Sequence, residues 1–260
     1  MRLQAIDAGE GPPVVLLHGQ PGSAADWGPV IERLRGRLRV IAPDRPGYGR
    51  TGGSAAGFHE NAAALIELLD RLEIESAVVA GHSWASGVAL AAAIRFPQRV
   101  RALVLAAPVA PGVPPSLADR LLAHPVLGTA ATRIGFVAAG SALAVPPLRK
   151  LAHATVPTLP PEQIAVNAVE WRTGGAWRSF HREQRAFLIE LPSLEPQLAS
   201  IDRPTTILRG SRDRVSTAAH ARRLAEAMPQ ARLLTIERAT HMLPQQRPRL
   251  VAEAIAAAAT

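Results

Sequence analysis

The stretch Gly81-His82-Ser83-Trp84-Ala85-Ser86-Gly87 constrains this chain more than any other. Apolar Ala77-Val78-Val79-Ala80 lies before it and Val88-Ala89-Leu90-Ala91-Ala92-Ala93-Ile94 behind it, so the pattern changes from a short buried strand to a helix across Ser83. Gly81 and Ala85, two residues to either side, are small enough for a sharp turn that passes close to neighbouring backbone. Such a corner holds the serine Oγ clear of the sheet. It also puts the Trp84 N–H at the first turn of a helix, where unpaired amides favour a developing negative charge. A serine before a helix also serves as a simple cap, so the rest of the chain has to decide between the two readings.

The remaining runs repeat the alternation. Pro12–Leu17 is a strand running into the loop His18-Gly19-Gln20-Pro21-Gly22, and Trp27, Val30, Ile31 and Leu34 recur at helical spacing. Arg39–Pro43 is a strand leading into a glycine-rich loop from Asp44 to Gly53. His59–Leu72 is an amphipathic helix, and Ala102–Ala106 a further buried strand. Strands that are continuous apolar runs, alternating with helices, predict a mostly parallel sheet covered on both faces, with any site in the loops at the strands' carboxyl ends. From Pro108 to about Ser200 the rhythm gives way to short helical patterns between prolines, with no strand signal. The uncharged run Ile134–Leu148 is too interrupted by Gly, Ser and Pro to span a bilayer and is expected to line the underside of a helical lid. Trp171, Trp177 and Phe180 are expected to be packing residues. Order resumes with strands Pro204–Gly210 and Ala231–Ile236, a helix from about Thr217 to Met228 between them, a loop Ala239–Pro244, and a last helix Arg247–Ala259.

With 260 residues, 48% of them hydrophobic, the chain can bury a full core. There is no cysteine, which removes disulfides, thiolate catalysis and thiolate metal sites together. The opening residues lack the apolar core of a signal peptide, and a cytoplasmic protein without an integral membrane segment is expected. The net charge of +8 comes almost wholly from dispersed arginines. That balance could attract nucleic acid or an anionic membrane surface, but too few aromatic residues interleave with the arginines for nucleic-acid stacking. The histidines at 59, 124, 153, 181 and 220 have no metal-site spacing, so no metal or cofactor is expected.

A serine hydroxyl needs a base, and the base a carboxylate that fixes its tautomer. Asp213 and His241 follow consecutive carboxyl-end strands, in the chain order Ser, Asp, His. Together with His18-Gly19-Gln20-Pro21, Asp44-Arg45-Pro46-Gly47-Tyr48-Gly49-Arg50-Thr51, Gly81-His82-Ser83-Trp84-Ala85, Gly210-Ser211-Arg212-Asp213 and Thr240-His241, this resembles the α/β-hydrolase family over essentially the whole chain. The resemblance implies Ser83 as nucleophile, Asp213 as acid and His241 as base, with the backbone amides of Gln20 and Trp84 as the oxyanion hole. It implies a hydrolase core over residues 1–108 and 201–260 and a helical lid over 109–200, inserted after the sixth strand of the family fold. Asp44 would brace the glycine loop, and His82 is given no catalytic part. Ala85 replaces the usual last glycine of the turn and Thr51 a commoner serine. The opening antiparallel edge is expected to be trimmed to little more than Leu3–Ile6.

Serine at this turn implies attack on an acyl carbonyl. Relatives that open epoxides or remove halides carry aspartate there. The expected function is hydrolysis of an ester, or a related acyl bond, of a small to medium hydrophobic substrate. Alternatives on the same scaffold are a proline-releasing aminopeptidase, for which Glu162, Glu170, Glu183 and Glu190 are candidate holders of the substrate amine, a cofactor-free perhydrolase, and a hydrolase of carbon–carbon bonds. A ligand receptor that has kept the fold is the non-enzymatic alternative. Oligomeric state is not legible.

Overall fold

The structure is a computed structural model describing residues 2–155 and 161–260; the prolines at 157 and 160, inside the predicted insert, lie outside the described residues. Seven strands form one sheet in the order β1-β3-β2-β4-β5-β6-β7: β1 Ala5–Ala8, β2 Pro13–Leu17, β3 Arg39–Pro43, β4 Ala77–His82, β5 Val100–Ala106, β6 Thr205–Gly210 and β7 Ala231–Ile236. All neighbours are parallel except β1, which pairs antiparallel with β3 and sets Ala5 opposite Pro43.

The continuous apolar runs follow from burial on both faces. Val15 and Leu17 of β2, Val79 of β4 and Leu103 and Leu105 of β5 face the core shared with α2 (Phe58–Arg71) and α3 (Ala85–Arg95). The alternate residues Val14, Leu16, Val78, Ala80, Ala102 and Val104 face the core shared with α1 (Gly28–Leu34) and α11 (Pro248–Ala259). Period-two alternation is present, but water sees neither side, so hydropathy hides it.

The edge strand lies at Ala5–Ala8 and not at Leu3–Ile6. Leu3 is used differently: its side chain is buried in the core, and the next residue's N–H donates to Thr51 Oγ1 at 2.8 Å while its carbonyl accepts from Asp44 N–H at 2.9 Å. Between β5 and β6 the chain forms α4 (Leu117–Ala123), α5 (Leu127–Ala144), α6 (Pro146–Thr155), α7 (Pro161–Thr173), α8 (Ala176–Ile189) and a 3₁₀ segment Leu191–Ser200, with no strand among the described residues. In this chain's own count the insert follows the fifth strand, because the amino-terminal arm supplies a single antiparallel strand. After β6 come α9 (Ala218–Ala227), β7, and a short α10 (Leu243–Gln246) where a plain loop was expected, opened by Pro244 in its first turn.

The expected placement of Ile134–Leu148 on the underside of the insert fails for its branched residues. The run forms the second half of α5 and the start of α6, and Ile134, Val137, Val145 and Leu148 are exposed, not folded under. Small residues decide which face packs. Gly128, Thr132 and Gly140 are buried, and a Cβ at Gly140 would stand 2.7 Å from the Ala168 carbonyl of α7. A helix that is apolar all round carries no hydropathy signal for inside against outside, so close approach of backbones selects the glycine stripe and turns the branched residues out. Phe136 points inward against Trp171 and Phe180, with ring centroids at 5.6 and 5.3 Å.

Leu90 lies fully buried in α3 against the sheet. Leu90→Ala is expected to lower unfolding stability by about 2–5 kcal/mol, read as a lower urea midpoint at unchanged slope. A loss under about 1 kcal/mol would mean that the helix does not pack as described.

Candidate active site

Ser83 sits between β4 and α3 with φ of 54°, in the left-handed region that costs a non-glycine residue about 1–3 kcal/mol. The surroundings hold it there: its N–H donates to the Ala106 carbonyl of β5 at 2.9 Å, and its own carbonyl accepts from Ser86 N–H at 2.9 Å. Gly81 is obligatory for a steric reason, since a Cβ there would lie 2.6 Å from the Ala85 carbonyl oxygen. Ala85, in place of a glycine, is fully buried without displacing the turn.

Three loops at the carboxyl ends of β4, β6 and β7 converge. Ser83 Oγ donates to His241 Nε2 at 2.8 Å, and His241 Nδ1 donates to Asp213 Oδ2 at 2.9 Å. The other carboxylate oxygen of Asp213 accepts from the N–H groups of Val215 and Ser216 at 2.8 and 2.9 Å, so the acid is oriented before it meets the imidazole. With a proton on Nδ1, Nε2 presents its lone pair to the serine hydroxyl, the tautomer that a general base needs.

His82, left unassigned in the sequence, supports this line from behind. Its Nε2 donates to the backbone carbonyl of His241 at 2.9 Å, tying the His241 loop to the end of β4. Burial, with the nearby His241 adding to it, holds the His82 pKa down at about 3, so the ring is a neutral donor.

Gln20 and Trp84 line the same cavity as Ser83, and neither backbone N–H has an acceptor among the described residues. The loop carrying Gln20 is held by Arg45. Arg45 N–H donates to His18 Nε2 at 2.9 Å, which leaves His18 Nδ1 to donate to the Gly19 carbonyl. The guanidinium donates to the carbonyls of His18 at 2.8 Å and Gly19 at 2.9 Å. Its remaining edge pairs with Glu183 of α8; the two side chains are 1% and 0% exposed. Tyr48 donates to the other Glu183 oxygen at 2.7 Å, and the Trp84 indole N–H reaches the Glu183 carbonyl at 3.3 Å. The guanidinium also stands over the Trp84 ring, 4.7 Å from its centroid.

Arg45 and Glu183 are the residues whose importance the sequence did not show. In the sequence Arg45 reads only as part of the glycine loop, and Glu183 only as one of four carboxylates that could hold a substrate amine. None of Glu162, Glu170, Glu183 and Glu190 lines the cavity, and Glu183 is consumed by Arg45 and Tyr48. Asp44 stands where it was expected, its carboxylate accepting from Ala24 N–H at 2.8 Å and Arg50 N–H at 2.9 Å.

The cavity beside Ser83 holds about 510 Å³. Val109, Val113, Phe180 and Phe187 make its apolar wall, and Asp119, Gln184, Arg214 and His220 line it with polar groups, so the lining is mixed and not simply apolar. Trp171 and Trp177 pack within the insert, whereas Phe180 both packs against Phe136 and lines the cavity.

The sheet is mostly parallel, with Ser83, Asp213 and His241 in loops at the carboxyl ends of its strands. The profile of the Alpha/beta hydrolase family matches residues 14–254, and the chain belongs to that family. Among curated relatives, the chain is similar to the 2-hydroxy-6-oxo-2,4-heptadienoate hydrolase of Pseudomonas putida strain F1, 44% identical over 121 residues that make up 44% of this chain and 43% of the relative. It is also similar to haloalkane dehalogenase 2 of Mycobacterium tuberculosis, 34% identical over 107 residues, 40% of this chain and 37% of the other. The chain thus spans about two fifths of the length of the curated relatives it matches. A solved structure of the meta-cleavage product hydrolase from Pseudomonas fluorescens IP01 superposes with a TM-score of 0.73 at 25% identity, covering 98% of this chain and 94% of that one. An esterase from Thermogutta terrifontis shares the fold with the same TM-score at 24% identity, covering 98% and 92%.

Removing one partner of the Arg45–Glu183 pair strands the other charge in the interior. Glu183→Ala is expected to cost about 3–5 kcal/mol of stability by urea denaturation; a loss below about 1 kcal/mol would show that Arg45 finds water instead.

For His82 the sign is set by its lowered folded pKa. Between about 3 and the ordinary 6.5 the unfolded chain binds the extra proton, so stability is full above 6.5 and falls as the pH drops toward 3. His82→Gln should flatten that slope by up to about 1.4 kcal/mol per pH unit, and an unchanged slope of urea midpoint against pH would reject the burial.

Proposed function

We propose that the chain is a serine hydrolase that cleaves an ester, or a related acyl bond, of a small to medium substrate through an acyl-enzyme. The observation that carries this reading is the unbroken line Asp213–His241–Ser83, with contacts of 2.9 and 2.8 Å. His241 takes the Ser83 proton as Oγ adds to the substrate carbonyl, and the oxyanion that forms is met by the N–H groups of Gln20 and Trp84. Collapse breaks the bond to the leaving group, which receives the proton from His241. Water, deprotonated by the same imidazole, then releases the acid and restores Ser83. The insert acts as a lid, since Phe180, Gln184 and Phe187 of α8 wall the cavity. A cavity of about 510 Å³ suits a ligand of this size.

A second reading, hydrolysis of a carbon–carbon bond next to a carbonyl, draws on the Pseudomonas relatives at 44% and 40% identity. It uses the same acyl-Ser83 but needs a carbon leaving group protonated and, for a dienoate acid, a cation near the site. Arg214 is the arginine that lines the cavity. Displacement of halide is disfavoured by Ser83 itself: alkylation of a serine leaves an ether, with no carbonyl for water to attack. The amine-binding alternative lacks a carboxylate from the four candidates in the cavity. A receptor role is the less supported one, because the acid, base and nucleophile are in register for turnover.

A fluorophosphonate should label the folded protein at Ser83 alone, and p-nitrophenyl esters of short and medium acids should turn over, with Ser83→Ala lowering kcat by at least about 1,000-fold. Turnover of a ring-fission dienoate in preference to every ester would move the assignment to carbon–carbon hydrolysis. Absence of both labelling and turnover in folded protein would reject catalysis.

A further inference from the structure

The outer face of the insert is built unlike the rest of the surface. Leu127, Ala130, Ile134, Val137, Ala138 and Ser141 of α5 recur at three- and four-residue steps, so they share one side of the helix, and all are exposed. Ile134 is 68% exposed and Leu127 56%. The face continues through Val145, which caps α5, into Leu148 and Leu151 of α6, all exposed. Among the described residues α5 is the one helix long and apolar enough to cross a membrane by length and composition, yet its other side is packed on α7 and α8. It is anchored in the fold, with one apolar side left out.

Charge says what the partner is. From Arg120 to Pro161 the sequence contains no aspartate or glutamate, but it does contain Arg120, Arg133, Arg149 and Lys150. Arg133 and Lys150 are exposed beside the apolar face, and none of these four forms an ion pair among the described residues. The whole chain carries +8. A second copy docked face to face would bring Arg133, Arg149 and Lys150 against the same residues of its partner, with no acidic residue between Arg120 and Pro161 to answer them. A surface that is apolar within and anionic at its headgroups meets both features together.

We propose that the α5–α6 face is a peripheral docking surface for an anionic lipid membrane, with α5 lying in the plane of the interface and its outer residues set about 5–10 Å deep. Arg133, Arg149 and Lys150 meet the headgroups. Docking in this way holds the insert against the bilayer while the hydrolase core stays in water. The inference does not depend on which bond the site cleaves.

Vesicle flotation with the full chain tests it. The protein should float with mixed phosphatidylcholine–phosphatidylglycerol vesicles, much less with pure phosphatidylcholine, and be released by salt near ~1 M. Arg149→Ser/Lys150→Ser should weaken partition about 5-fold per charge removed, and Ile134→Ser/Val137→Ser about 10-fold. Circular dichroism and an unchanged urea midpoint show that these surface variants remain folded. No flotation with mixed vesicles, equal flotation with neutral ones, or a dimer in light scattering that Ile134→Ser/Val137→Ser dissolves, would each overturn the proposal.

Discussion

The buried pairing of Arg45 with Glu183 fixes how the helical insert sits against the loops of the sheet. Arg45 belongs to the loop after β3 and Glu183 to the helical insert, and their side chains meet with almost no exposure to water. A guanidinium in such a place is tolerated only when its donors are used, and here they go to the carboxylate and to the carbonyls of His18 and Gly19. One ion therefore fixes the loop that carries the Gln20 amide, the helix that walls the cavity, and the Trp84 ring beneath it. Hydrophobic packing alone would hold the insert on the core, but it would not fix the position of an amide to a fraction of an ångström.

The corner at Ser83 depends on that same rigidity. A serine in the left-handed region is costly, and the cost is met by its hydrogen bond to β5, by a glycine that lets α3 approach, and by the buried helix behind. His82 adds a second restraint from the other side, holding the His241 carbonyl through a ring that burial keeps neutral. Ser83 and the His241 backbone are thus both anchored to the end of β4, so small movements of the loops after β6 and β7 change their separation little.

The insert shows the opposite economy. Its inner helix α8 supplies buried polar contacts to the core, whereas α5 presents branched apolar residues to solvent and packs through glycine and threonine. A protein surface seldom keeps so long an apolar face without a use. The absence of acidic residues from Arg120 to Pro161 gives that face a sign as well as a polarity.

Much of the fold was legible in one dimension. The apolar runs mark the parallel strands, in β2 to β6 because burial on both faces writes itself as hydropathy, whereas β7 is largely open to water, and Ser83, Asp213 and His241 stand out because each follows such a run. The edge strand was misplaced by two residues, since a short strand with one partner has little pattern to read. The Arg45–Glu183 pair was hidden for a different reason: a buried charge and a solvated one are the same letter, and 138 positions separate these two. The outward turn of α5 was hidden too, because a helix apolar on every side does not say which side faces in. By itself the sequence determined the sheet, the order of the elements and the three residues in line. Only the tertiary structure decided which charges are buried, which face of α5 meets water and how wide a cavity opens beside Ser83, because these depend on contacts between distant segments that no local pattern encodes.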